Sequence, residues 1–333
     1  MQTHAIAPEF FHGAISTEAV AGGLQPWRLD VTEKTLYATP DEVLLGRAST
    51  SAGVRVRLTT GGDKVGLRVA AMDTARVFDL VIGTDRVSTA ILAADETDIV
   101  FDLPAGTTGA VEIWLPLGSP TVVQSVLTAD GADAAPAADP RRRWLTYGSS
   151  ISQCNSSHSP ARSWPATAAR DRNLALTCMG FGGNCHLETQ VARVIRDQPA
   201  DLITLKLGIN VQGGSTLSPR TFEIQALGLV RLIREKHPET PIGIISPVIS
   251  PPRETTPNAV NLSLTKMRDL LADAVVRLND WGDTRVRYYD GLIQFPEGHV
   301  ADYMPDELHP NGDGYEILGH NIAANVLADL ERM

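Results

Sequence analysis

The 333-residue sequence predicts two fold classes in one chain: an antiparallel β-sandwich, jelly-roll-like in its strand pattern, and then an α/β domain with a parallel sheet. The first observation is a series of short β-branched runs, separated by turn signals, before about residue 130. The second is the stretch ADGADAAPAAD at 129–139, which is small and polar and has little to bury. The third is the alternation of apolar strands and helices that follows it. We therefore assign 1–130 to the sandwich, 131–143 to a linker and 144–333 to the α/β domain.

A period of two marks the strands of the first domain. Val54, Val56 and Leu58 alternate with Arg55 and Arg57, which is typical of a strand with one buried face. Similar runs follow, and glycine-containing turns separate them, so many short antiparallel strands are expected. The strands are predicted at 54–58, 64–70, 76–82, 86–92, 111–117 and 121–128.

Continuous apolar runs mark the strands of the second domain, which indicates strands buried on both faces between layers of helices. Ser218 and Pro219 illustrate a helix start, with a capping hydroxyl followed by proline in the first turn. Ligands of such sheets bind beyond the carboxyl ends of the strands, so the loops that follow the strands are the candidates for chemistry. The predicted strands are 144–147, 174–179, 202–207, 241–248 and 285–290, and the predicted helices are 162–172, 187–197, 218–236, 262–281 and 311–332.

Composition excludes several classes of function. The net charge is −10, and three arginines at 141–143 form the one basic cluster, so the basic face that binds nucleic acid is missing. The sequence has no apolar run of about 18 residues, and its first residues do not resemble a secretory signal. Three cysteines make a disulfide framework unexpected. We therefore expect a cytoplasmic protein without a membrane or nucleic-acid partner.

Residue types used in nucleophilic catalysis occur in two of the candidate loops. Ser150 follows Gly148 and Ser149 directly after the first strand of the α/β domain, where a turn can present its hydroxyl. Asp306 and His309 are three residues apart, so the carboxylate can orient the imidazole while the other ring nitrogen takes a proton from a serine. When each loop is considered alone, a structural role is an equally simple explanation: the serine could cap a helix, and the Asp–His pair could stabilise a turn.

Two further loops carry groups that suit an oxyanion. The sequence GFGGN at 180–184 lets the backbone approach a ligand, so the N–H of Gly183 becomes a candidate donor. Asn210 follows the strand at 202–207, and its side-chain amide can donate as well. A tight turn and a turn-supporting asparagine are the alternative readings of these two loops. The four loops together are more specific than each alone, because all of them converge at one edge of the sheet.

These four blocks, in this order, resemble those of the SGNH (GDSL-like) hydrolase and acyltransferase family over about residues 144–333. YGSSIS matches the serine block, GFGGN the glycine block, LGIN the asparagine block and DELHPNGDGY the last block. The resemblance implies a catalytic triad of Ser150, Asp306 and His309. It also implies an oxyanion hole formed by the backbone of Ser150, Gly183 and Asn210.

Two positions depart from the family pattern. Ser149 stands where the pattern GDSL has its aspartate, so two adjacent serines compete for the role of nucleophile, and the spacing from Gly148 favours Ser150. Val211 stands in place of the aspartate of G-x-N-D, which leaves the donor Asn210 unchanged. The missing pentapeptide G-x-S-x-G argues against the α/β-hydrolase fold.

The resemblance implies a flavodoxin-like three-layer α/β/α domain and, more weakly, the subset of the family that has a preceding β-sandwich. It implies a serine ester hydrolase that works through an acyl-serine intermediate, without a metal or an organic cofactor. The main alternative is an O-acyltransferase that moves an acyl group from acyl-CoA or another thioester to an alcohol of a natural product. The expected partner is a small-molecule ester or acyl thioester, and the sequence leaves open whether the chain forms a homo-oligomer.

Other readings remain open. A second alternative is a carbohydrate-binding module fused to an esterase, for which Trp27 and Trp114 are the tryptophans available in the first domain. A third alternative, a pseudoenzyme, is disfavoured because competent residues occupy all four blocks. Four further residues are candidates for lining a substrate pocket: His158, Arg162, Trp164 and His186. A tryptophan at position 164 is more commonly a core or domain-contact residue, and His186 could instead cap the next helix.

Overall fold

The computed structural model describes residues 1–38 and 40–333, which cluster into two compact units. One unit consists of Met1–Arg141 with the short segments Ser159–Ala161 and Ala175–Thr177. The other consists of the remaining residues between Arg142 and Met333. No helix among the described residues is long and apolar enough to span a bilayer.

The first unit is built from antiparallel strands, as predicted. Its strands include all six that the sequence pattern predicted, with boundaries that differ by at most three residues. Two short helices, α1 (Lys34–Tyr37) and α2 (Val43–Ala48), were not predicted because each is too short to show a helical period. The strands are β1 (Gln2–Ala5), β2 (Phe11–His12), β3 (Ser16–Val20), β4 (Gly23–Trp27), β5 (Arg55–Thr60), β6 (Lys64–Val69), β7 (Arg76–Ile82), β8 (Asp85–Leu92), β9 (Asp98–Asp102), β10 (Ala110–Trp114), β11 (Val123–Thr128) and β12 (Ala134–Pro136).

These strands form two sheets around one core. The order is β3-β4-β11-β6-β9 in the first sheet, where β1 also pairs with β11, and β12-β5-β10-β7-β8 in the second, where β2 also pairs with β5. Val56 and Ile113 of the second sheet and Leu67 and Val126 of the first are all inaccessible to solvent and belong to the same hydrophobic cluster. The two sheets therefore pack face to face, which is the β-sandwich that the sequence predicts.

The predicted linker contains regular structure. Residues 134–136 form β12, an edge strand that pairs with β5. Beyond it, Asp139 accepts a hydrogen bond from Arg55 at 3.3 Å, and Arg141 forms ion pairs with Asp139 and Glu112. Small alanines and a proline are tolerated at a sheet edge, so composition alone did not reveal the pairing. Residues 131–141 thus belong to the first unit.

The second unit contains a five-stranded sheet in the order β14-β13-β15-β16-β17. Strands β13, β15, β16 and β17 run parallel. Counted along the chain, this is the flavodoxin-like order 2-1-3-4-5, as expected. The strands are β13 (Arg143–Gly148), β14 (Ala175–Gly180), β15 (Leu202–Lys206), β16 (Ile242–Ile245) and β17 (Val286–Tyr289).

Helices cover both faces of this sheet. Successive residues of a strand point to opposite faces, so Trp144 and Tyr147 of β13 lie on different faces. Trp144 packs against Trp164 of α4, with ring centroids 5.9 Å apart, whereas Tyr147 donates a hydrogen bond to Glu188 just before α5. The helices are α3 (Ser150–Gln153), α4 (Trp164–Asp171), α5 (Thr189–Asp197), α6 (Ile209–Gly214), α7 (Pro219–Arg234), α8 (Leu264–Asp280), α9 (Gly291–Gln294), α10 (Val300–Tyr303), α11 (Gly312–Ile322), which continues through a π-turn at Ala323–Leu327, and α12 (Ala328–Leu330).

Candidate active site

Ser150 begins the short helix α3, immediately beyond the carboxyl end of β13. The preceding Ser149 is fully buried and caps this helix, because its Oγ accepts the N–H of Ile151 at 3.3 Å. Ser150 is only half-buried. The two adjacent serines therefore have different environments, and Ser150 is the one with a hydroxyl open to a ligand.

Glycine is required where α3 approaches the sheet. A Cβ at Gly180, the last residue of β14, would lie 2.4 Å from the backbone nitrogen of Gln153. A Cβ at Gly148 would lie 2.3 Å from Oγ of Ser152. These glycines let α3 pack directly on the ends of the two strands, and this contact fixes the position of Ser150.

Asp306 and His309 lie on one tight turn ahead of α11. Oδ1 of Asp306 accepts the backbone N–H groups of Leu308 at 3.0 Å and of His309 at 2.6 Å. Glu307 adopts the left-handed conformation, with a φ of 57°, and its carbonyl accepts a hydrogen bond from the buried hydroxyl of Ser250 at 2.7 Å. The turn is thus held by its own carboxylate and by a residue of the loop that follows β16.

The three side chains form a continuous chain of hydrogen bonds. Ser150 Oγ lies 2.8 Å from His309 Nε2, and His309 Nδ1 lies 2.7 Å from Asp306 Oδ2. Partial burial favours a higher pKa for Asp306, but hydrogen bonds from the backbone and ring of His309 and from the N–H of Leu308 outweigh it and lower this pKa. An ionised Asp306 accepts from Nδ1–H, which leaves Nε2 of a neutral imidazole free to accept the proton of Ser150.

The glycine loop and Asn210 lie close together, each beyond the end of a strand. The backbone N–H of Cys185 donates to Oδ1 of Asn210 at 3.1 Å, so the amide group Nδ2 of Asn210 is directed away from this contact. Gly183 is exposed and has a φ of 75°. Neither the N–H of Gly183 nor Nδ2 of Asn210 has a recorded hydrogen-bond partner in the described part of the chain. Both donors are therefore available to a ligand.

The structure corrects one of the four predicted pocket residues. Trp164 has no solvent-accessible surface, packs on Trp144 and donates its indole N–H to the carbonyl of Ile151 at 2.8 Å. It is a core residue, which was the alternative reading of its position, and the pocket-lining role is wrong. The packing on Trp144 decides between the two roles that the sequence left open.

Two of the other predicted pocket residues pair with the first turns of α11. His158 Nε2 lies 2.8 Å from Asp313, and Arg162 forms an ion pair with Glu316. His158, Asp313 and Glu316 are the one group of ligand-type side chains in the described residues that could surround an ion, with ligand atoms within 4.8 Å of one another. The hydrogen bond between His158 and Asp313 and the ion pair between Arg162 and Glu316 already account for this arrangement. A pocket role for His158 and Arg162 remains a prediction.

The fourth predicted pocket residue, His186, contacts the glycine loop itself. Its Nε2 lies 2.9 Å from the carbonyl oxygen of Gly183, and its Nδ1 lies 2.8 Å from Oγ1 of Thr216. Both ring nitrogens are thus occupied by protein groups. His186 is a neighbour of the site, but it presents no unpaired ring nitrogen to a substrate.

Buried ionisable groups surround the site. Cys154 and Cys185 are buried free thiols, and burial raises the pKa of both, which keeps them protonated and unreactive. Lys206, at the end of β15, is only 2% exposed, and burial lowers its pKa to about 8. No local pattern predicts a buried lysine four residues before Asn210.

Sequence reasoning also missed residues that hold the site from a distance. Gln153 Oε1 accepts the N–H of Gly182 at 2.8 Å, and Ser250 holds the turn of His309. Neither residue belongs to one of the four blocks. No signal within a single sequence marks them, since their partners are 29 and 57 residues away along the chain.

In this structure a serine follows the first strand of a parallel sheet. That serine is hydrogen-bonded to an Asp–His turn, which precedes the last long helix. This arrangement defines a class of serine-dependent enzymes. Residues 146–317 match the GDSL-like Lipase/Acylhydrolase family, and this match covers more than half of the chain. The protein therefore belongs to the GDSL-like lipase/acylhydrolase family and is an enzyme. Residues 10–127 match a second family, the N-terminal domain of SsfX3.

Solved structures extend the likeness to the whole chain. The salicylyl-acyltransferase SsfX3 from a tetracycline biosynthetic pathway is 29% identical, with 99% of this chain and 98% of that chain covered and a TM-score of 0.89. A putative GDSL-like lipase from Bacteroides ovatus is 21% identical, with 99% of this chain and 98% of that chain covered and a TM-score of 0.74. A family two carbohydrate esterase from Clostridium thermocellum is 14% identical, with 97% of this chain and 99% of that chain covered and a TM-score of 0.65. A likeness at this identity shows the fold alone. No curated protein sequence matched significantly.

Proposed function

We propose that the protein cleaves esters through an acyl-enzyme formed on Ser150, with His309 as the general base and Asp306 as the residue that orients it. The observation that carries this proposal is the hydrogen-bond chain from Ser150 Oγ to His309 at 2.8 Å and from His309 to Asp306 at 2.7 Å. Such a chain both activates a serine and stabilises the imidazolium that forms when the serine attacks.

In the first half-reaction, Ser150 Oγ attacks the carbonyl carbon while its proton moves to His309 Nε2. The carbonyl oxygen becomes an oxyanion, for which the backbone N–H groups of Ser150 and Gly183 and the Asn210 amide are the proposed donors. The bond to the leaving alcohol or thiol then breaks, and His309 returns the proton to that group. The acyl group remains on Ser150.

In the second half-reaction, water attacks the acyl-serine and gives a proton to His309. The ester bond to Ser150 breaks, the free acid leaves, and His309 returns the proton to Ser150 Oγ. Every step uses residues of the chain, and Nε2 of His309 relays the proton in both halves: from Ser150 to the leaving group in the first, and from water to Ser150 in the second.

A second candidate is transfer of the acyl group to an alcohol in place of water. The likeness to the acyltransferase SsfX3 at 29% identity over nearly the whole of both chains favours it, as does the match of the first unit to the N-terminal domain of that protein. An aryl acyl thioester with a polycyclic or phenolic alcohol is the corresponding substrate class. Offered a thioester and a range of alcohols, a transferase forms esters, whereas a hydrolase forms only the free acid.

The carbohydrate-binding alternative has less support. Trp27 is 8% exposed and Trp114 is 1% exposed, and each donates its indole N–H to a glutamate of its own sheet. Neither ring presents a face for stacking on a sugar. We also propose a cytoplasmic location, which three buried free thiols support, and self-association remains a proposal without a described interface.

The test of the acyl-enzyme is the mass shift after brief treatment with a fluorophosphonate, followed by peptide mapping. The expected result is one adduct on Ser150, absent from Ser150→Ala and retained in the matched control Ser149→Ala. An adduct on Ser149, or equal labelling of Ser150→Ala, would contradict the assignment. Loss of folding in either variant is checked by its thermal midpoint, because Ser149 caps α3.

A further inference from the structure

Three consecutive residues, Asn184, Cys185 and His186, form hydrogen bonds next to the proposed oxyanion donors Gly183 and Asn210. Asn184 Nδ2 donates to the carbonyl of Gly182 at 2.9 Å. That carbonyl and the N–H of Gly183 belong to one planar peptide and point in opposite directions, so the bond fixes and polarises the N–H of Gly183. The N–H of Cys185 orients the amide of Asn210.

His186 completes this arrangement from the other side of Gly183. A carbonyl oxygen only accepts, so Nε2, 2.9 Å from the Gly183 oxygen, must carry the ring proton. In the neutral ring, Nδ1 then accepts the hydroxyl proton of Thr216 at 2.8 Å. The ring also packs on the end of α6, since a Cβ at Gly214 would lie 3.2 Å from His186 Cε1.

We propose that His186 is a positioning residue, which holds the glycine loop against the α6 segment so that the donors of Gly183 and Asn210 face the same point. Gly183 needs such support because its φ of 75° and its lack of a side chain leave its backbone with many accessible conformations. His186 fixes the peptide that follows Gly183, and Thr216 fixes the ring. The proposal rests on the proposed acyl-enzyme function for its effect on catalysis.

The experiment compares His186→Ala, His186→Gln, Thr216→Val and the double variant His186→Ala/Thr216→Val in the full chain, with p-nitrophenyl acetate as the substrate. A positioning role predicts that His186→Ala lowers kcat about tenfold, the effect of one net hydrogen bond, with KM within about twofold of wild type. His186→Gln, whose amide reaches as far as Nε2, should recover part of this loss. The double variant should be no worse than His186→Ala, because both changes break the same connection.

Two further readouts separate this proposal from a structural role and from the proposed function. Hydrogen exchange of the peptide 180–187 should be faster in His186→Ala while the thermal midpoint stays near that of wild type. A rise in KM with kcat unchanged would overturn the proposal and make His186 a substrate contact. If Ser150→Ala keeps its activity, the proposed function fails. The positioning role is tested separately by hydrogen exchange, and unchanged exchange of 180–187 in His186→Ala would overturn it.

Discussion

Replacing Asp306 by asparagine separates its two tasks, which are holding the turn and orienting His309. Oδ1 accepts two backbone N–H groups, from Leu308 and His309, so in Asp306→Asn the carbonyl oxygen of the new side chain must occupy that position. A flipped amide would place its NH₂ group against two other donors. The NH₂ group is therefore forced to face His309 Nδ1, where Oδ2 now lies at 2.7 Å.

The consequence follows from hydrogen-bond polarity. Nδ1 must accept from the new NH₂ group, so the ring proton moves to Nε2, and His309 then donates to Ser150 where it should accept. A general base in the wrong tautomer costs about 10⁴ in kcat, or about 5.5 kcal/mol of transition-state stabilisation. The turn itself keeps both backbone bonds, so the thermal midpoint should change little.

Asp306→Ala is the matched comparison, because it removes the carboxylate and both backbone bonds. It should lower kcat at least as much and also destabilise the turn by about 1 kcal/mol. The assay is the initial rate with p-nitrophenyl acetate, alongside thermal unfolding of both variants. If Asp306→Asn retained more than a tenth of wild-type kcat, Asp306 would not be the residue that orients the base.

Three further outcomes are expected. Asn210→Ala should lower kcat by about 10²–10³ with a smaller effect on KM, since it removes one donor to the oxyanion; an unchanged kcat in steady-state assays would place the oxyanion elsewhere. In urea titrations, Gly180→Ala should destabilise the fold by about 1–3 kcal/mol, because its Cβ would lie 2.4 Å from backbone atoms. The control Gly228→Ala lies on an exposed helical position with no atom near its Cβ, and it should stabilise the fold by up to about 1 kcal/mol. Lys206→Met should raise the urea midpoint at pH 7, and the gain should shrink at pH 10.

The sign of the Lys206 effect follows from its pKa. Burial lowers this pKa from 10.5 to about 8, so the folded protein releases the proton before the unfolded chain does. Below about pH 8 both states carry the charge, and the folded state bears the full cost of burying it, about 3 kcal/mol. The folded wild type therefore gains stability as the pH rises from about 8 to 10.5. A midpoint difference that grew with pH would contradict this assignment.

Most strands of both units could be predicted because burial on one or two faces leaves a period in the sequence. The runs at 76–82 and 202–207 coincide with β7 and, within one residue, β15. The strand β12 could not be predicted, because its pairing with β5 depends on the partner and not on its own alanines and proline. Elements of one turn, such as α1, are too short to show a period.

The candidate site also has a part that can be predicted from the sequence and a part that cannot. Candidate roles for Ser150, Asn210 and His309 can be proposed from residue types in the loops, since the topology brings the loops that follow strands to one edge. The contact between Ser250 and the carbonyl of Glu307 depends on groups from distant segments, which no local pattern records. For the same reason, His186 was recognised as a neighbour of the site but not as a contact of Gly183.

The separation of Ser150 and His309 along the chain has a consequence for biosynthesis. The two residues are 159 positions apart, and His309 lies within the last 25 residues of this sequence. At about 5–20 residues per second, a ribosome adds His309 roughly 10–30 s after Ser150. Throughout that interval the nascent chain holds a serine without its base, so the hydrogen-bond chain of the site cannot form until the 159 residues that separate the two have been added.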